Sequence, residues 1–376
     1  MLEIISELIA NSGFAALSGK SFIMIVIACV LLYLGIRKQY EPYLMIPIAF
    51  GMLLSNLPIS GIMAPGNGID PGGLLYYLYQ GTKLGIYPPL IFLCLGVATD
   101  FGPLIANPMT ILLGGAAQFG IFAAFFLALL FGMTPQEAAS IGIIGGADGP
   151  TAIFTTTRLA PHLLPAIAVA AYSYMALVPV IQPPIIRALT TKEERNVVME
   201  EQRKVSQAEK IIFPIVVTIL VSLLVPSATT LVGMLMLGNL LRETKIVPLL
   251  TDALQNSMMY IITILLGTTV GATATSEIFL SPDTLLIIVL GLIAFAFGTA
   301  SGVLIGKVMY KFTGGKINPM IGAAGVSAVP MAARVVQKEG QLENPSNYLL
   351  MHAMGPNVAG VIGSAIVAGV LLAMFG

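Results

Sequence analysis

Charge is scarce in this sequence. Only 10% of its 376 residues are charged, 18 Lys+Arg against 18 Asp+Glu, where a soluble domain carries roughly 25%. So few charged side chains cannot cover a water-exposed surface, which excludes the two or three soluble domains that the length alone suggests. The formal net charge is zero, so there is no basic surface for nucleic acid. Cysteine and histidine are scarcer still. Cys29 and Cys94 stand in separate apolar runs and read as small buried hydrophobes. With only His162 and His352 beside them, no Cys/His cluster for a transition metal can be assembled. A nucleophile elbow, a Walker loop and a dinucleotide fingerprint are also missing. Energy for any transport must then come from an ion gradient or from a partner's chemistry. No signal peptide is evident, because the first apolar run begins near Ser21, behind Glu3 and Glu7, and ends in Arg37-Lys38.

What remains is apolar: 57% hydrophobic residues and a mean hydropathy of +0.92. A spanning helix takes about 20 apolar residues. Uncharged stretches of about that length fall at 21–36, 42–69, 84–99, 101–136, 160–186, 211–241, 253–276, 284–306, 317–333 and 344–376. Several contain Pro or Gly and exceed one span, so the expectation is an all-α polytopic membrane protein with about ten or eleven membrane segments, some broken or re-entrant. Residues 1–20 are expected to lie on the membrane surface as a helix.

One hydrophilic insert interrupts the pattern. Arg187, Lys192, Arg195, Arg203, Lys204 and Lys210 all fall within 187–210. The positive-inside rule places this loop in the cytoplasm. Thr191 followed by Glu193, Glu194, Glu200 and Glu201 suggests a helix with i,i+4 pairs, serving either as a solvated connector or as a docking surface. The run 211–241, broken at Pro226, then crosses out and back. Gln182-Pro183-Pro184 is expected to stop the preceding helix sharply.

The sequence also repeats itself. Ile141–Ala152 (IGIIGGADGPTA) and Ile321–Ala332 (IGAAGVSAVPMA) share Ile, two Gly, Pro and Ala at a shift of 180 residues. About five crossings separate the copies, and an odd number inverts the second. This gives N-terminal segments over 1–70 and a first inverted repeat over 71–186, broken at 141–152. The loop 187–210 and a second repeat over 211–376, broken at 317–334, follow. Inverted repeats with Gly/Pro-broken segments at corresponding places mark transporters, with the site at the repeat interface.

Asp148 sits among the glycines of the first break. A charge in mid-membrane costs about 3 kcal/mol or more and faces a polar cavity and a partner. The only cation nearby in sequence is Arg158, beyond Pro150, so a bound cation is the natural partner of Asp148. The second break offers neutral oxygens, from Asn318 and Ser327, with Gly322 and Gly325 between them. These hard ligands suit Na+ or a proton and not a transition metal. Arg334 closes the second break and either clamps a carboxylate or holds a headgroup. Tyr172 and Tyr174 follow Asp148, and composition does not choose between them.

Thr99–Leu104, Gly145–Thr151, Val180–Pro184 and Asn318 through Pro330 together resemble the membrane-embedded beta subunit of sodium-pumping biotin-dependent decarboxylases, over nearly the whole chain. The short chain is more similar to the glutaconyl-CoA and methylmalonyl-CoA forms than to the longer oxaloacetate form. The resemblance implies an elevator-like inverted-repeat fold in the inner membrane of a prokaryote. It implies a subunit that decarboxylates carboxybiotin and couples that step to Na+ export. It also implies partners: a carboxyltransferase alpha subunit, a separate biotin carrier, a small membrane subunit and two further beta chains in a homotrimer. The positions matching the family's functional residues are Asp148, Tyr174, Asn318, Gly322, Ser327 and Arg334, which is what selects Tyr174 over Tyr172. Na+ would bind Asp148, Asn318, Gly322, Ser327 and Tyr174, and Arg334 would hold carboxybiotin. The alternative from another class is a stand-alone secondary transporter of Na+ with a small carboxylate, and a third is a membrane scaffold.

Overall fold

The computed structural model describes residues 12–67 and 70–376, apart from the side chain at position 176, and the regular structure among them is helical throughout. Most of the surface helix expected over 1–20 lies outside the described residues, and 12–18 form turns and extended chain. Helices α1 (Gly19–Arg37) and α2 (Pro42–Asn56) open the chain. Next come α3 (Leu74–Lys83) and α4 (Tyr87–Ala98), meeting at 68°. Gly85, at φ +70°, makes that corner, in a region open to glycine at little cost. A short α5 (Gly102–Ala106) leads into the spanning helix α6 (Thr110–Leu130). The first break consists of α7 (Pro135–Gly142), a 3₁₀ turn at Ile143–Gly146 and α8 (Gly149–Leu159).

Helix α9 (Leu164–Leu189) contains Pro179, Pro183 and Pro184 and runs straight past them, so the expected stop at Gln182-Pro183-Pro184 does not occur. The prolines act earlier. Pro179 has no N–H for the carbonyl four residues before it, and the helix bends by 62° between Met175 and Leu177. The second half of the chain holds α10 (Lys192–Arg195), α11 (Gln207–Leu224), α12 (Thr229–Thr244), α13 (Pro248–Ala272), α14 (Ser276–Phe279) and α15 (Pro282–Phe312). A 3₁₀ run at Pro319–Gly325, α16 (Met331–Glu343) and α17 (Leu350–Phe375) complete it.

Among the described residues, six helices are long and apolar enough to cross a membrane, or eight if each of two bent pairs is one span. The count falls below the ten stretches read from composition because two stretches form shorter elements. Pro42–Asn56 is a helix of 15 residues, and 317–333 winds into 3₁₀ turns among its glycines and prolines. Cys94 is buried as expected, whereas Cys29 is exposed, because α1 packs on one side only.

The hydrophilic loop departs most from expectation. Beyond the end of α9 at Leu189, only Lys192–Arg195 is helical before Gln207, capped by Thr191 and Glu194. Arg203 pairs locally with Glu209, but the loop's other ion pairs reach across the fold. Arg187 grips the buried Glu339 with two bonds of 2.7 and 2.9 Å. Lys307 reaches Glu194 and the Leu189 carbonyl. Arg195 is itself buried and donates to Glu343 at 2.7 Å and to the Thr190 carbonyl at 2.6 Å. Asn318 and Asn347 both donate to the carbonyls of Arg195 and Val197. The loop is a strap sewn to the second break. Arg195→Ala removes the bonds that seat it. Because hydrogen bonds to charged groups contribute about 1.5–3 kcal/mol, the variant should unfold several degrees lower in detergent and be cut faster by protease within 196–206. Unchanged cleavage would contradict the strap.

Candidate functional site

The two breaks meet. Ile143–Gly146 ends at Ala147, held at φ +56°, a left-handed turn that costs an alanine about 1–2 kcal/mol. That turn aims Asp148 into the first turn of α8 as its N-cap, where Oδ1 accepts from the Thr151 N–H at 3.3 Å. The Ser327 N–H of the second break donates to the Gly146 carbonyl at 2.9 Å. Asn357 on α17 fixes the second break from behind, its amide donating to the carbonyls of Ala324 and Val326 at 2.9 and 2.7 Å. Glycine permits this approach, since a Cβ on Gly360 would collide with the Gly325 carbonyl.

At the junction Asp148 is 5% exposed. Its Oδ2 accepts from Thr151 Oγ1 at 2.6 Å and from Ser364 Oγ at 2.8 Å, and Ser327 Oγ donates to Ser364 Oγ at 3.2 Å. Every partner is neutral. Among the described residues no Lys, Arg or His forms an ion pair with Asp148. An ionised carboxylate buried without a counter-charge is costly, so the geometry asks for a cation or a proton. Further oxygen stands ready. Gln118 spends its amide N–H groups on the carbonyls of Gly114 and Gly360, and its buried Oε1 has no partner among the described residues. That oxygen lies beside Gly146, 3.7 Å from where a Cβ would stand. One carboxylate, hydroxyls and a carboxamide oxygen form a hard-donor set.

The residues singled out from sequence divide. Asp148 and Ser327 come together through Ser364, a residue the sequence reading missed. Asn318 stands apart: its amide holds the 195–197 strap and its Oδ1 accepts from Met320 N–H at 3.0 Å. Gly322 lies against Gly302 of α15. Tyr174 is buried and donates through a short hydrogen bond to the Ile288 carbonyl, so its hydroxyl is turned to α15 and not to Asp148. Tyr172 is the tyrosine that packs on Gly149, next to Asp148, and its buried hydroxyl has no hydrogen-bond partner among the described residues. Arg334 is exposed at the start of α16 and forms no ion pair among the described residues. No group of three His, Cys, Asp or Glu side chains among the described residues is arranged to hold a metal.

A family model described as the Na+-transporting oxaloacetate decarboxylase beta subunit matches residues 20–375. The methylmalonyl-CoA decarboxylase subunit beta of Propionigenium modestum is 60% identical, the match covering 100% of both chains. The glutaconyl-CoA decarboxylase subunit beta of Acidaminococcus fermentans is 55% identical, covering 99% of this chain and 98% of the relative. The oxaloacetate decarboxylase beta chain of Klebsiella pneumoniae is 48% identical, covering 99% of each.

Proposed function

The chain belongs to the family of Na+-transporting oxaloacetate decarboxylase beta subunits, and from that membership we propose that Asp148 is where its decarboxylation and Na+ export are coupled. It is a multi-pass membrane subunit of a decarboxylase complex, which sets aside the stand-alone transporter. The observation carrying the proposal is a buried carboxylate with only neutral partners where two broken segments cross. Na+, as cargo, binds Asp148 with oxygens from Thr151, Ser327, Ser364 and Gln118. The geometry favours these over Asn318 and Gly322, whose groups serve the strap and the helix contact.

In the reaction the N–CO2⁻ bond of carboxybiotin breaks, the carbon leaves as CO2, and the ureido nitrogen takes up a proton. The hydroxyl line from Ser327 through Ser364 to Asp148 supplies a path for a proton displaced when the cation arrives, since a cation beside an ionisable group favours loss of its proton. It joins Asp148 where the Tyr174 hydroxyl does not. Arg334, exposed and without an ion-pair partner among the described residues, is assigned the carboxylate of carboxybiotin. The carrier of biotin is another subunit, beside a carboxyltransferase subunit, a small membrane subunit and two further beta chains, in the inner membrane of a prokaryote with 187–210 cytoplasmic. Higher identity to the acyl-CoA decarboxylase beta subunits than to the oxaloacetate forms supports an acyl-CoA complex.

The proposal includes two inverted repeats in an elevator-like fold. Supporting it are four glycine contacts that obey one exchange. Gly51 of α2 lies on the Thr268 carbonyl of α13, and Gly238 of α12 lies on the Leu93 carbonyl of α4. Gly271 of α13 lies on the Ile48 carbonyl of α2, and Gly96 of α4 on the Leu235 carbonyl of α12. A shift of 187 residues relates Gly51 to Gly238 and Ile48 to Leu235, and a shift of 175 relates Gly96 to Gly271 and Leu93 to Thr268. Each contact thus maps onto its counterpart when the halves are exchanged, which extends the first repeat back from residue 71 to take in α2.

The test is CO2 release from free carboxybiotin by the purified complex at graded Na+. Release should rise and saturate with Na+. Release that is independent of Na+ would defeat the coupling.

A further inference from the structure

Three of the helices apolar enough to span a membrane, α6, α11 and α17, leave a groove of about 470 Å³ between them. Among the described residues in its lining Gln118 is the one polar side chain, and none is charged. A hydrophilic ligand would lose its hydration there for a single hydrogen-bonding partner. The groove is also narrow. Its lining follows α6 from Ile111 to Phe122, eleven residues or about 17 Å. Spread over that length, 470 Å³ gives a mean cross-section of about 28 Å². A helix 10–12 Å across fills about 80–110 Å². The groove is too slender for a helix of another subunit or of a second copy, and suits one extended alkyl chain. In a bilayer such chains come in pairs on phospholipids. A second groove, about 790 Å³, lies on the other flank of α6 against α15 and shares Ile111 and Gly115 with the first.

The floor of the first groove faces two ways. Gln118 is 4% exposed. One flank lies against Gly363, where a Cβ would stand 3.0 Å from Nε2. The other end, Oε1, lies beside Gly146 of the first break. A single carboxamide thus stands here between the groove and the segment that carries Asp148. An alkyl chain in the groove keeps water from that wall and holds the local dielectric low, where a carboxylate attracts a cation most strongly.

We propose that one phospholipid straddles the N-terminal half of α6 with a chain in each groove, and that the chain over Gln118 seals the Asp148 site from the bilayer. The seat of the lipid stands on the grooves alone. Its role as a seal rests on the ion site proposed above.

The sequence contains no tryptophan, so an introduced one reports without background. The full-length chain in detergent carries Phe122→Trp, in the first groove, or Phe297→Trp, exposed on α15 outside both grooves. Phosphatidylglycerol brominated at mid-chain is the quencher. Half-quenching of Phe122→Trp should come at a lipid-to-detergent ratio about threefold lower than for Phe297→Trp. A brominated single-chain lysophospholipid should show no such preference. Equal ratios for the diacyl lipid would overturn the seat, and so would quenching of Phe297→Trp alone, which would mean that protein covers the groove. An equal preference for the lysophospholipid would overturn the straddling of α6.

The seal is tested in the whole complex, in lipid whose chains are too short to reach Gln118, about 12 Å along α6 from Thr110. The Na+ concentration for half-maximal CO2 release should rise about fivefold. Leu220→Trp, which lays an indole across the groove from the exposed face of α11, should remove that dependence. The same rise in Leu220→Trp would assign it to bilayer thickness and overturn the seal. Lipid preference in a complex without Na+-dependent CO2 release would support the seat and overturn the ion-site reading.

Discussion

Asp148→Asn is expected to lower Na+-dependent CO2 release by about a hundredfold or more, equivalent to about 3 kcal/mol at 1.4 kcal/mol per tenfold, while the complex still assembles. Asparagine has nearly the same shape, and its oxygen can still accept from the Thr151 N–H, so α8 keeps its cap. What disappears is the charge in a site whose other groups are neutral. The geometry also suffers. Thr151 and Ser364 both donate to Oδ2, so an amide nitrogen there would face two donors. The check is initial CO2 release against Na+ concentration in wild type and variant, with size-exclusion chromatography for assembly. A variant that turns over with ordinary Na+ dependence would remove Asp148 from the ion site.

Asp148 was legible because a carboxylate amid Gly145, Gly146 and Gly149 contradicts its surroundings. Ser327 was legible because the repeat points to it. Ser364 was not. It lies in a long apolar helix, where a single serine reads as a helix–helix contact, and only the crossing of α17 over the first break brings it to Asp148. A polar residue in that helix, like Asn357 about two turns earlier, was the one signal available. The choice between Tyr172 and Tyr174 turned on family likeness, whereas side-chain direction on a helix changes by about 100° per residue and places Tyr172 against Gly149. Asn318 shows a different limit. It lies within the second break, but its amide is spent on the carbonyls of the 195–197 strap. Spacing gives the address of a residue and not the direction of its side chain. The strap itself was misread for an electrostatic reason: closely spaced charges of both signs suggest local helical pairs, and here the counter-charges lie on α15 and α16.

Gly322→Ala separates two accounts of the second break. If Gly322 contributes only a carbonyl to an ion, alanine keeps that carbonyl and activity survives. The packing says otherwise. A Cβ on Gly322 would overlap the Gly302 carbonyl, and a Cβ on Gly302 would overlap the Gly322 carbonyl, so backbone rests on backbone. The contact belongs to a stripe on α15. Gly298 lies 3.3 Å from the Gly145 carbonyl by the same measure, and Gly306 lies 2.6 Å from that of Pro319. One face of small residues at four-residue spacing therefore carries both breaks. Neither neighbour is a flexible side-chain tip, so an added methyl must push the segments apart. Overpacking of this kind costs about 1–3 kcal/mol, and a displaced second break also moves Ser327 away from Gly146 and Ser364. The expected result is a lower unfolding temperature and a weaker apparent Na+ affinity for Gly322→Ala and Gly302→Ala alike. Gly115→Ala and Gly233→Ala, where no atom lies within 4 Å of the added carbon, should behave as wild type. Thermal unfolding in detergent and Na+ titration of CO2 release, measured on all four, decide the matter. Loss of Na+ affinity in Gly322→Ala with Gly302→Ala unaffected would return Gly322 to the ion, because steric overlap requires the two positions to fail together.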